Sequence, residues 1–152
     1  MINKIPEPFC LTGIAIRTTN ENGAAGEAIP PLWHKFLSQN IIQQIPGKMS
    51  NDIYCVYTEY EKDYTRPYTV VLGCRVQKEA PVPDGFQKIT IPAGNYTVFT
   101  AKGKLDEGIV FRVWTTIWNS PVKRIYTTDF EVYGEKAGNG ANAEVDIFVA
   151  TD

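Results

Sequence analysis

Apolar and polar positions along the chain fall into two kinds of period, and the same order of periods occurs twice. CLTGIAIRT (10–18) reads as a strand, and a loose Gly/Ala/Asn stretch, NENGAAGEA (20–28), follows it. In IPPLWHKFLSQNII (29–42), Ile29, Leu32, Trp33, Phe36, Leu37 and Ile41 repeat at helical spacing. Pro30 and Pro31 suit the start of that helix, where the missing N–H groups cost little. Two strands come next, DIYCVYTEY (52–60) and YTVVLGCRV (68–76), joined by a turn that contains Asp63, Arg66 and Pro67.

The second half follows the same plan. ITIPAGNYTVFTAKG (89–103) reads as a strand preceded by Pro92. LDEGIVFRVWTTIWNS (105–120) reads as a helix, with Ile109, Val110, Val113, Trp114 and Ile117 on one face and Asp106 and Glu107 in the first turn, where they suit the helix dipole. YTTDFEVYGE (126–135) and AEVDIFVAT (143–151) are strands separated by the turn KAGNG. Gly13 and Trp33 recur as Gly94 and Trp114, 81 positions on, and Val56, Tyr57 and Glu59 recur as Val132, Tyr133 and Glu135, 76 positions on. The pattern predicts an α+β fold: a duplicated β-α-β-β unit with pseudo-twofold symmetry, antiparallel sheets, one main helix per half and a central cleft. The expected repeats span about 9–77 and 86–152 within a single domain, with KEAPVPDGF (78–86) as linker.

Length and charge narrow the function. The 152 residues match one domain at roughly 150 residues each, and a net charge of −2 with no basic block excludes a nucleic-acid footprint. No apolar run approaches the ~18 residues of a membrane span, and Pro6, Glu7 and Pro8 interrupt any signal-peptide pattern. Three scattered cysteines, Cys10, Cys55 and Cys74, argue against a disulfide framework and for a reduced, cytoplasmic protein. One histidine, His34, beside the apolar helical face, gives no metal-ligand spacing, and no cofactor is implied.

The chemistry concentrates in TTDFEVYGE (127–135), where Glu131 interrupts an aromatic, β-branched run. Strand alternation puts Phe130 and Val132 on one face with Tyr54 and Val56, an apolar face expected to receive the helix. Glu131, Tyr133 and Glu135 take the other face, with Cys55, Tyr57 and Glu59. Glu131 is then either a solvated side chain or a carboxylate held among tyrosines. Removing a carboxylate from water costs several kcal/mol unless a counter-charge compensates. A ligand carrying a positive charge on an aromatic frame would compensate it, with cation–π contacts of ~0.5–2 kcal/mol each.

The segments IPPLWHKF, IYCVYTEYE, YTVVLGCRV, IPAGNYTVFTAKG, WTTIW, YTTDFEVYGE and AEVDIFVATD resemble the GyrI-like small-molecule-binding domain. That domain is the effector-binding module of AraC- and MerR-type bacterial transcription activators, and it also occurs alone. The resemblance spans nearly the whole chain and implies the duplicated fold. It also implies that Glu131 matches the family glutamate that binds lipophilic cations in an aromatic pocket. Tyr133 and Tyr57 share the inferred cleft face. Trp118 sits at the helix end as a cleft wall, whereas Trp33 and Trp114 fit a core as well as a cleft. Phe148, on the last strand, is a further candidate.

The expected function is therefore a stand-alone protein that captures amphipathic, cationic ligands for sensing or sequestration. With the domain beginning near residue 9, no room remains for a DNA-binding module, so direct DNA binding is not expected. Two alternatives stay open: a hydrolase in which Glu131, its pKa raised among aromatics, is the general base, and an interaction module that resembles the family's gyrase inhibitor. Glu59 and Glu61 read as exposed strand-end charges. YTVVLGCRV is an apolar segment that could act as a dimerising edge.

Overall fold

Among the described residues, eight strands and two α-helices form in the order the periods suggest, with two short strands added. The computed structural model describes residues 2–152. The strands are β1 (Ile2–Ile5), β2 (Phe9–Thr18), β3 (Ile53–Thr58), β4 (Tyr68–Val76), β5 (Gln87–Ile91), β6 (Gly94–Gly103), β7 (Thr128–Tyr133) and β8 (Ala143–Thr151). The helices are α1 (Ala24–Ser38) and α2 (Ile109–Trp118). Among the described residues no helix is long and apolar enough to cross a membrane.

All strands join one antiparallel sheet in the order β1-β6-β8-β7-β3-β4-β2-β5. The order is symmetric about the central β7–β3 pair: β7-β8-β6 on one side mirrors β3-β4-β2 on the other. The outermost strand on each side comes from the chain segment that leads into the other half, so β1 adds to β6 and β5 adds to β2. The stretch 89–103 holds the strand expected after Pro92 and a second strand before it. Pro92 and Ala93 interrupt it, and the pieces lie near opposite ends of the sheet order. Three peptide links reach at most ~11 Å, so those ends must lie side by side, and the sheet curls nearly closed.

The curl decides which face holds what. Leu11, Val56, Val71, Ile91, Tyr96 and Phe130 fill the face the curl encloses, with Tyr54, Val132 and Phe148 packed against them. The expectation that this face receives the helix is overturned: the sheet's own ends cover it. Both helices cover the opposite face. Leu32 and Phe36 of α1 pack on Cys55, Val70 and Leu72, and Trp114 and Ile117 of α2 pack on Ile147 and Val149.

Three further expectations change. α1 begins five residues early, because Ala24, Ala25, Glu27 and Ala28 are adequate helix formers once Gly23 supplies a left-handed turn (φ 73). Pro30 and Pro31 therefore lie inside the helix, not at its start. The helix stops at Ser38, before the left-handed Asn40, and Ile41–Gln44 form a separate 3₁₀ turn. YTVVLGCRV is not an edge, because β4 is bonded on both sides, to β3 and β2. The tryptophan equivalence also shifts. β2 and β6 start 85 positions apart, as do α1 and α2, so Trp33 corresponds to Trp118 rather than Trp114.

Candidate functional site

Period-2 alternation along β7 turns Asp129, Glu131 and Tyr133 toward the helices. Both acids are buried, Asp129 at 0% and Glu131 at 2% exposure. Their surroundings differ in one respect. Asp129 has a resident cation: Arg124 Nη2 donates to its Oδ2 at 2.8 Å, Tyr60 donates its hydroxyl to the same oxygen at 2.6 Å, and the Ala150 N–H donates to Oδ1 at 2.8 Å.

Glu131 has donors and no cation among the described residues. Tyr57 donates its hydroxyl to Oε2 at 2.7 Å, and the Trp114 indole N–H donates to Oε2 at 2.6 Å. Tyr133 donates to Oε1 at 2.6 Å. Cys55 faces Glu131 across the β3–β7 ladder and is fully buried. Burial pushes the Glu131 carboxyl above its ordinary range, while the hydrogen bonds from Tyr133, Trp114 and Tyr57 pull it back. Burial likewise holds the Tyr57 and Tyr133 phenols well above theirs, with the Glu131 charge adding to the effect, so both remain donors.

Trp114→Phe tests this arrangement. Removing one charge-assisted bond should cost about 1.5–3 kcal/mol at pH 8 by urea unfolding. A change under ~0.5 kcal/mol would mean that the indole is not holding an ionised carboxylate.

Above this layer lies a cavity of about 650 Å³ between the N-terminal half of α1 and the C-terminal half of α2. Tyr57, Tyr60, Tyr64, Tyr68, Trp114 and Trp118 give it an aromatic wall, with Arg124 the charged residue among its lining. Trp118 stacks on Tyr64 (ring centres 5.5 Å apart, 8° between planes), and Tyr57 meets Trp114 edge-on at 5.3 Å. A smaller cavity of about 320 Å³ lies between the other ends of the helices, lined by Trp33, Leu37, Val110, Phe111 and Tyr133 among others. The Glu131 carboxylate lies between the two. Tyr57 and Trp114, from the larger cavity, hold Oε2, and Tyr133, from the smaller, holds Oε1.

Of the six residues singled out from sequence, Glu131, Tyr57 and Tyr133 meet at one point and Trp118 walls the large cavity. Trp33 lines the small cavity, where its ring meets Tyr133 at 4.7 Å. Phe148 is displaced from the site: it pairs with Phe130 in the ladder and stacks on it at 4.7 Å, on the enclosed face of the sheet. His34 and Glu59 are exposed, and Glu61 pairs with Arg66 at 2.9 Å. The sequence pattern leaves Trp114 between core and cleft and does not single out Tyr60, Tyr64, Tyr68, Asp129 or Arg124. Four of the eight tyrosines fall within YTEYEKDYTRPY (57–68), which was a legible signal. Arg124 sits in an aperiodic connection and carried none.

The chain is similar to YobU of Bacillus subtilis (strain 168), a candidate transcriptional regulator, with 30% identity over 142 residues covering 91% of this chain and 89% of YobU. It is also similar to the crystal structure of an integron cassette protein from Vibrio cholerae, at 31% identity and TM-score 0.73, covering 100% of this chain and 95% of that one. SAV2435, solved bound to tetraphenylphosphonium, shares the fold at TM-score 0.80 and 14% identity, covering 100% of this chain and 93% of that one. Residues 4–151 match the Cass2 family model. This chain belongs to the Cass2 family of integron-associated effector binding proteins, with the GyrI-like effector-binding fold.

Proposed function

We propose that the protein captures lipophilic cations in the larger aromatic cavity, with Glu131 as counter-charge, for sensing or sequestration. One contrast carries the reading. Two carboxylates two residues apart are equally buried, and among the described residues only Asp129 has a partner of opposite charge. Glu131 has three donors aimed at its oxygens and no partner of opposite charge among the described residues. The rings that seal it, Tyr57 and Trp114, are those that wall the cavity. A cation resting on them gains quadrupole attraction of ~0.5–2 kcal/mol per contact and lies one ring's depth from the carboxylate. The tetraphenylphosphonium bound to SAV2435, on the same fold, is a ligand of this chemistry.

Tetraphenylphosphonium and tetraphenylborate separate charge from shape, since they are nearly isosteric and opposite in sign. The phosphonium should raise the melting temperature, because a ligand at a hundredfold excess over Kd stabilises by about 2.7 kcal/mol. The borate should leave it unchanged. Equal shifts from the two ions would reduce the site to an apolar cavity.

A further inference from the structure

Arg124, the charged residue among the cavity's described lining, is incompletely used. Arg124 has a side chain 5% exposed, and its Nη2 is committed to Asp129. Its Nε and Nη1 are buried and have no hydrogen-bond partner, although a guanidinium offers five N–H donors in a fixed plane. The guanidinium lies 4.4 Å from the ring centre of Tyr126, 5.6 Å from Tyr64 and 5.7 Å from Trp114. Tyr126 holds a left-handed backbone (φ 55), which is uncommon for an aromatic residue, and presents its ring to the guanidinium. The group is thus positioned and desolvated, with donors to spare.

Resident acceptors do not fill the deficit. Asp129 already accepts from Tyr60, Arg124 and Ala150. Tyr57, Tyr60 and Tyr68 donate their hydroxyl protons to Glu131, Asp129 and Asn20, and none of their oxygens accepts from Nε or Nη1 of Arg124. The cavity therefore combines apolar wall with a cluster of unspent donors. Trp114 separates the two poles: its N–H meets Glu131 and its ring lies beside Arg124.

We infer that the ligand is dipolar: an onium centre for the Glu131 end and an acceptor oxygen, of carboxylate type, for an unpaired N–H of Arg124, on one apolar frame. This deepens the cation reading and rests on it. A carboxylate oxygen accepts a charge-assisted hydrogen bond from a guanidinium N–H, and low local dielectric strengthens it.

Two probes of equal chain length decide it: (4-carboxybutyl)triphenylphosphonium, which carries a carboxylate at pH 8, and pentyltriphenylphosphonium, which does not. By titration calorimetry the carboxylate probe should bind the wild-type protein at least tenfold more tightly. Arg124→Gln with Asp129→Asn replaces the ion pair by two neutral groups that can still bond each other, leaving no lone buried charge. In that double variant the ratio of affinities should fall to one or below. The ratio is read within each protein, so a general loss of affinity cancels. Equal or weaker binding of the carboxylate probe by the wild type, or a preference that persists in the double variant, overturns the inference. The wild-type comparison needs no variant to fold. If the pentyl probe binds and the carboxylate adds nothing, the dipolar inference alone falls. If neither probe binds, the cation reading falls with it.

Discussion

Glu131→Gln is expected to weaken tetraphenylphosphonium binding by roughly 30- to 150-fold while making the empty protein more stable at neutral pH. The first effect is Coulombic. A cation on the faces of Tyr57 and Trp114 would sit ~6 Å from the carboxylate, where an effective dielectric of ~20 gives roughly 2–3 kcal/mol. The second follows from burial. A glutamine oxygen can accept from both Tyr57 and Trp114, and its amide can donate to the Tyr133 oxygen, so the one bond lost is that of the Tyr133 phenol proton, against the full desolvation cost of the buried carboxylate.

The pH sign follows from the raised carboxyl. The folded state holds a proton that the unfolded chain, near the ordinary 4.5, has released. Wild-type stability from this group is therefore fully present below 4.5 and is lost as pH rises through the folded value. The advantage of the glutamine variant should open over that window, at no more than ~1.4 kcal/mol per pH unit, and then level off. Cation affinity of the wild type should rise over the same window, since the ligand needs the ionised form. Denaturant melts and phosphonium titrations between pH 4.5 and 8.5 measure both. A variant less stable at every pH would mean that the three donors outweigh burial. Unchanged phosphonium affinity would remove the carboxylate from recognition.

Gly13→Ala is expected to be the most damaging small substitution in the sheet. Gly13 and Gly73 face each other across the β2–β4 ladder. A methyl on Gly13 would meet the Leu72 carbonyl oxygen at 1.9 Å and the Gly73 Cα at 2.6 Å, and a methyl on Gly73 would meet the Thr12 oxygen at 2.1 Å. The obstacles are backbone, which cannot rotate aside. The cost should lie at or above the upper end of ordinary overpacking, about 3 kcal/mol, or roughly 6–12 °C in melting temperature for a domain of this size. Gly26→Ala is the control: its added methyl meets nothing within 4 Å inside α1, and the change should stabilise by ~0.4–1 kcal/mol. Urea unfolding of the two variants tests the contrast. A loss under 1 kcal/mol for Gly13→Ala would show that the strands can part cheaply.

Strand alternation was enough to group Glu131 with Tyr133, Cys55 and Tyr57, because a period of two leaves no freedom once the strand is identified. It could not say which face the helices cover. Both faces of β3 and β7 are rich in apolar groups, and the choice depends on the curl forced by the Pro92–Ala93 link, a long-range property. Phe148 was misplaced for a related reason: its side follows from the Phe130–Phe148 register, which local pattern does not contain. Trp114 was read as core or cleft and is both, since one edge packs on the sheet while the N–H serves Glu131. Arg124 was invisible because a connection without periodicity gives no hint of what its side chains meet.

The two prolines inside α1 bear on how anything enters. Neither has an amide proton, so the Gly26 and Glu27 carbonyls lack the rungs that would lock the opening turn to the helix below. Ala25, Gly26, Ile29 and Pro30 form that side of the cavity rim. That side of the cavity is therefore carried by the turn of the helix with the fewest internal hydrogen bonds, and its position rests on the packing of Ala25 and Ile29 rather than on the helical ladder.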